Sequence, residues 1–147
     1  MDVGVISDIH GNRVAFEAVL TDMPDVDAYL CAGDVVGYGP WPGECIERVR
    51  DLDAPTVLGN HDRAVAKATG FAFNSMASAG VEYAREHCTD DQIDWLHLFG
   101  TDLNAHLRGA TDCRCVVDIF DFRGVEFQKT VLLAQSRHGH VDCLSLS

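Results

Sequence analysis

The apolar positions of this chain come in short runs that stop at polar residues able to bind ligands. Val3, Val5 and Ile6, with Gly4 among them, mark a strand over Asp2–Ile6 that breaks into Ser7-Asp8-Ile9-His10-Gly11-Asn12. A run without polar alternation reads as a strand buried on both faces. Gly11 permits a tight turn, and Asn12 can cap a helix that continues to about Asp22. Val14, Ala15, Ala18 and Val19 share a face of that helix, and Met23-Pro24 ends it. Ala28–Ala32 is a second buried strand, running into Gly33-Asp34. Strand, helix and strand in this order make a βαβ unit, which implies a parallel pair and a right-handed crossover.

Val35 to Gly43 is a glycine- and proline-rich loop, and Pro42 suits the first turn of the next helix. Cys45, Ile46, Val49 and Leu52 follow helical spacing there. Pro55–Leu58 reads as a third strand, ending in Gly59-Asn60-His61-Asp62. Asp8/His10, Asp34 and Asn60/His61 thus each follow a strand, and in a parallel sheet such ends lie at one edge, where ligands bind. A short helix is expected over Asp62–Thr69. A longer one is expected over Asn74–Cys88, with Ala77, Gly80, Val81, Ala84 and Cys88 on one face. Thr89-Asp90-Asp91-Gln92 has capping-box spacing and opens a helix to about Phe99, closed by Gly100. Cys115–Phe122 and Val125–Ala134 are β-type runs around a turn at Gly124, an antiparallel pair that completes the sheet.

Composition narrows the picture. The 147 residues are expected to form one domain with a core that needs no staples. No apolar stretch approaches the ~20 residues that span a bilayer, and the N-terminus lacks a secretory pattern, so the cytoplasm is the expected compartment. Of the six cysteines, Cys31, Cys45 and Cys88 sit in apolar or helical contexts and read as buried, reduced thiols. The net charge of −12, with only two lysines, disfavours a nucleic-acid-coating protein and an anionic membrane partner. It leaves room for a small phosphate ester, and it fits a high-salt cytoplasm, where self-repulsion is screened. The charge is uneven: residues 1–105 carry a balance of −12 and residues 106–147 a balance of zero.

Each polar strand end has two readings. Asp8 can be a turn residue or a metal ligand beside His10; Asp34 can be a loop residue or a ligand; Asn60-His61 can open a helix or meet the other two. Their joint occurrence after consecutive strands favours the metal reading. The set Asp8-x-His10, Gly33-Asp34 and Gly59-Asn60-His61-Asp62 resembles the calcineurin-like metallophosphoesterase superfamily. Gly33-Asp34-Val35-Val36-Gly37-Tyr38-Gly39-Pro40, with Glu44-Cys45 after it, resembles that superfamily's small prokaryotic phosphodiesterase branch. The Asp-Arg-Gly pattern of the protein Ser/Thr phosphatases is absent at this point. The resemblance covers about residues 2–99.

The resemblance implies an α/β fold, a two-sheet αββα sandwich on a parallel βαβαβ core, of which this chain builds all or part. It implies two divalent metal ions (Mn, Fe, Zn, Co or Ni). Asp34 would bridge them, Asp8 and His10 would hold the first, and Asn60 the second. It implies hydrolysis of a phosphodiester, less so a phosphomonoester, by in-line attack of a metal-bridging hydroxide. The substrate would be a small phosphate ester or nucleotide-like molecule. His61 would contact the phosphate and protonate the leaving oxygen, and Asp62 would orient His61. Tyr38, Trp41 and Phe71 either line the cleft or pack the loops, and His87, His97 and His106 read as surface or core residues. A homo-oligomer stays open.

Downstream, the family has a His-Gly and a Gly-His-x-His. Here His138-Gly139 overlaps Gly139-His140-Val141-Asp142, so the second ion would have Asp34, Asn60 and His140, with one ligand lacking. Either the tail is a divergent end that leaves a weakened or inactive metal- or phosphate-binding protein, or His138 or His140 completes the site. A third reading groups Cys113, Cys115, His138, His140 and Cys143 as a separate zinc cluster.

Overall fold

The computed structural model describes residues 2–68 and 73–99, together with the strand backbones of 114–119, 131–137 and 140–144. In chain order the elements are β1 (Asp2–Ser7), α1 (Arg13–Asp22), β2 (Ala28–Cys31), α2 (Pro42–Asp51), α3 (Asn60–Lys67), α4 (Ser75–His87), α5 (Asp90–His97), β3 (Arg114–Ile119), β4 (Val131–Arg137) and β5 (His140–Leu144). The strands form one mixed sheet in the order β2-β1-β3-β4-β5. β1 is parallel to both β2 and β3, whereas β4 and β5 are antiparallel additions. The protein is therefore of the α/β class, with a βαβ unit at its start and the expected antiparallel pair in its second half.

Two sequence expectations shift. Pro55–Leu58 does not make a full strand. It joins the sheet through one parallel bridge, Cys31 to Thr56, flanked by hydrogen bonds from Cys31 to Pro55 and from Val57 to Cys31. Pro55 has no N–H to extend the ladder, and by Asn60 the chain is already helical. That bridge lies on the side of β2 away from β1, and the second parallel neighbour of β1 is β3. The second shift is the face of α1. Phe16 is fully buried, together with Ala15, and Val19 and Leu20 pack beside them, while Val14 is 62% exposed. The largest side chain sets the rotation of the helix, because its burial outweighs that of a valine.

The helix starts obey local chemistry. Asn12 accepts from the amide of Ala15, Pro42 is the first residue of α2, Asn74 accepts from Ala77, and Thr89 with Gln92 forms a capping box. The core joins β1 and β2 to α1 and α2 through Ile6, Phe16, Cys31, Ile46 and Val49, and reaches α3 and α5 at Val65 and Leu96. No described helix is long and apolar enough to cross a membrane. Because β1, β2 and the Thr56 bridge all run parallel, the residues after Ser7, after Cys31 and after Thr56 emerge at the same edge of the sheet.

Candidate metal centre

The chain segments at this edge are laced together by backbone bonds that continue the β1–β2 pairing past its last strand residues. Asp8 N–H donates to the Gly33 carbonyl (3.1 Å), His10 N–H to that of Asp34 (2.8 Å) and Gly11 N–H to that of Val35 (2.8 Å). Gly39 N–H and Trp41 N–H close from the other side onto the carbonyls of His10 and Gly11, at 2.5 and 3.1 Å. Asp8, His10 and Asp34 all have left-handed backbones, with φ of 55°, 49° and 55°. This region disfavours a side chain by roughly 1–2 kcal/mol per residue, a strain that the lacing offsets. Strained non-glycine residues concentrate at functional sites. Five described non-glycine residues have positive φ; besides Asp53 and Ala68 they are the three whose ligand atoms converge, one donor each from Asp8, His10 and Asp34 lying within 4.8 Å of the others.

His10 is buried and its Nδ1 lies 3.2 Å from the Val36 carbonyl. That contact assigns the proton to Nδ1 and leaves Nε2 with a free lone pair. Nε2 is 3.7 Å from Asp8 Oδ1. The second carboxylate oxygen of Asp8 accepts from the Ser7 hydroxyl at 2.5 Å.

Asp34 links this half of the site to α3. Its Oδ1 accepts from the backbone N–H of His61 at 2.9 Å. Gly59, the N-cap residue of α3, lies so close that a Cβ there would overlap Asp34 Oδ1. Asn60 is the first residue of the helix and is exposed. His61 is buried, and its Nδ1 has no hydrogen-bond partner among the described residues. Burial, and then the neighbouring His10, hold its pKa below the ordinary imidazole value, against the opposing pull of Asp34 and Asp8. The His61 ring sits at 4.7–4.8 Å centroid distance from the rings of His10, Tyr38 and Phe73. Gly37, with φ of 139°, fits between the two imidazoles: a Cβ there would stand 2.8 Å from His61 Nδ1 and 3.0 Å from His10 Nδ1.

Asp62 departs from its expected part. Among the described residues its carboxylate bonds backbone amides and not the His61 ring. Oδ2 accepts from Asp34 (2.7 Å) and Gly59 (3.1 Å), and Oδ1 accepts from Val36 (3.1 Å). The group is 1% exposed. Burial pushes its pKa up to about 7, helped by the charge of Asp34 and opposed by the three amide bonds.

His140, the expected ligand of the second ion, is described by its backbone alone. It opens β5 opposite Arg137, two positions beyond the Gln135–Arg114–Asp2 row. Its backbone therefore lies at the edge where β1 begins, roughly 25 Å along the strands from Asp8 at about 3.3 Å per residue. Phe71, His106, Cys113, His138 and Gly139 lie outside the described residues, so the zinc-cluster reading and the fate of the His-Gly do too. Trp41 lies beneath the Arg13 guanidinium at 5.9 Å. His87 and His97 are exposed on α4 and α5. Sequence reasoning missed Ser7, Val36 and Phe73. Val36 acts through its backbone and Phe73 follows no motif, so neither carried a signal.

A profile of the calcineurin-like phosphoesterase family matches residues 1–142. An uncharacterised protein of Methanocaldococcus jannaschii is 34% identical over 110 residues, which is 73% of this chain and 45% of that protein. A crystal structure of a metallophosphoesterase from Sphaerobacter thermophilus superposes with a TM-score of 0.57 and 38% identity, covering 66% of this chain and 40% of the other. A hypothetical protein from Pyrococcus horikoshii shares the fold at a TM-score of 0.52 and 20% identity, covering 68% of this chain and 48% of the other. The chain thus spans less than half the length of each.

Proposed function

The chain belongs to the calcineurin-like phosphoesterase family, and we propose that it hydrolyses small phosphodiesters with divalent cations held at the Asp8, His10 and Asp34 cluster. The observation that carries the reading is the convergence of these three donors, each on a left-handed backbone, within 4.8 Å of one another. Two carboxylates and an imidazole with a free Nε2 are a hard-to-borderline donor set, which fits Mn, Fe, Zn, Co or Ni. A cation in such a set supplies Lewis-acid neutralisation of phosphoryl charge and activation of water.

The chain's own residues do the rest. Asp8 and His10 offer donors from one side, and the backbone strain that aims them is held by the bonds to Gly33 and Asp34. Asp34 stands between them and α3, so in this reading it is shared between two ions. Asn60 is the proposed donor to the second, supported by its place at the start of α3 beside Asp34. Burial lowers the pKa of His61, and in this reading its ring donates to a phosphoryl or leaving-group oxygen. Tyr38 and Phe73 pack against that ring. The preference for diesters, for manganese and for a cytoplasmic setting belongs to the same reading.

The test is hydrolysis of bis-nitrophenyl phosphate with added manganese. Turnover that a chelator abolishes and manganese restores supports the reading. Turnover indifferent to the chelator refutes the mechanism. Manganese binding without turnover favours a binding protein that uses the same cleft.

A further inference from the structure

We infer that Asp62 is a positioning residue of the metal centre: its buried carboxylate clamps the backbone of Asp34, Val36 and Gly59 and so aims the donors of Asp34 and His10. The inference rests on the metal reading above and adds a residue that touches neither ion nor substrate in it.

The three amides belong to two segments, the loop after β2 and the turn before α3, and Asp62 is the third residue of α3. One side chain thus ties both segments that present donors on this side of the site. The shortest of the bonds, 2.7 Å, falls on Asp34, whose backbone is strained at φ 55°. Val36 is held on both sides: its N–H donates to Asp62 Oδ1 and its carbonyl accepts from His10 Nδ1. A shift of the Asp62 carboxylate therefore moves the acceptor that selects the His10 tautomer. The bond from Gly59 N–H is the side-chain half of a capping box. It fixes where α3 begins, and with it the meeting of His61 N–H and Asp34 Oδ1. A carboxylate has acceptor capacity for three amides on two oxygens. An asparagine has one oxygen, and its NH2 would face an N–H donor, so at least one clamp bond is lost at unchanged shape.

The experiment titrates the full chain and its Asp62→Asn variant with manganese by calorimetry, alongside circular dichroism and thermal melts. The expected result is a folded variant that binds manganese roughly 10–100-fold more weakly than the parent, the scale for removing groups that orient metal ligands. A lower melting temperature with unchanged manganese affinity marks a merely structural role and overturns the inference, while the functional reading stands. A parent chain that binds no manganese overturns both. If the variant does not fold, amide hydrogen exchange on the parent decides. The Asp34, Val36 and Gly59 amides are expected to be protected, and to slow together when zinc is added. Exchange at the rate of exposed loops overturns the inference.

Discussion

His61 donates its backbone N–H to Oδ1 of Asp34 across 2.9 Å, so the first turn of α3 is bonded to the carboxylate that follows β2. Asp34 is thus a structural acceptor as well as the central donor of the proposed site. Asp34→Ala should lose metal binding and lower turnover by about 100-fold or more, since a bound cation supplies several kcal/mol of charge stabilisation. It should also lower the stability of the metal-free protein by about 1–2 kcal/mol, because the His61 amide loses a charged acceptor. Manganese titration, phosphodiester hydrolysis and urea unfolding check the three parts separately.

The register of β5 yields a contrasting variant. His140 pairs with Arg137, far along the strands from Asp8. His140→Ala is therefore expected to keep the manganese affinity of the parent within about twofold, where true ligand removal costs tenfold or more. A larger loss in the same titration would place His140 at the site and contradict the strand register.

Much of this arrangement was legible in the sequence because it depends on local chemistry. Asn12, Pro42 and the Thr89–Gln92 pair announce their helix starts, and an apolar run that ends in Asp8 and His10 announces a ligand edge. Asp62 was not legible in the same way. A carboxylate next to a histidine reads as its partner, yet this one turns to amides 26 and 28 positions earlier in the chain. Side chains that satisfy distant backbone leave no periodic trace. Strand pairing was opaque for a related reason. Pro55–Leu58 has strand composition but only one bridge, while β3, 80 or so residues after β2, takes the other side of β1. Local propensity is silent about how much of a ladder a strand-like run completes and about which distant run pairs with β1.

Gly37 has no room for a side chain. A Cβ would stand 2.8 Å from His61 Nδ1 and 3.0 Å from His10 Nδ1, on a backbone at φ 139°. Gly37→Ala is expected to destabilise the fold by about 1–3 kcal/mol. It should also weaken manganese binding, because one of the two rings that must give way, His10, is a proposed ligand. Thermal unfolding with and without manganese tests this: the added stabilisation by metal should shrink in the variant, not only the base stability.

Burial raises the thiols of Cys31 and Cys45 to about 12 and that of Cys88 to about 11. In the folded protein these groups stay protonated at pH 8 and should resist iodoacetamide, becoming labelled only when urea unfolds the chain; mass spectrometry reads the difference. The sign for stability follows. A group whose folded pKa is raised holds its proton more tightly when folded. Its contribution is complete below the ordinary thiol value and is lost as pH rises towards 11–12. Replacing Cys31 by alanine should therefore lessen the steepness of alkaline unfolding.

His61 carries two predictions that separate its environment from its role. Its folded pKa is lowered, by burial first and by His10 second. The unfolded chain then takes up a proton before the folded one as pH falls, so stability is lost as pH drops through the ordinary imidazole value of about 6.5. Glutamine does not titrate. The stability of the metal-free parent minus that of His61→Gln should therefore rise with pH across this range, and a flat difference in urea midpoints would contradict a depressed pKa. The proposed role is tested with leaving groups. A ring that donates a proton to the departing oxygen matters most when that oxygen is a poor leaving group. His61→Gln should cost about 100-fold with an alkyl phosphodiester, within the usual range for a general acid, and much less with a nitrophenyl one. Equal losses for both substrates would make His61 a phosphate contact alone. That outcome suits its position as well, because a buried ring held between Tyr38 and Phe73 can donate a hydrogen bond without giving up its proton.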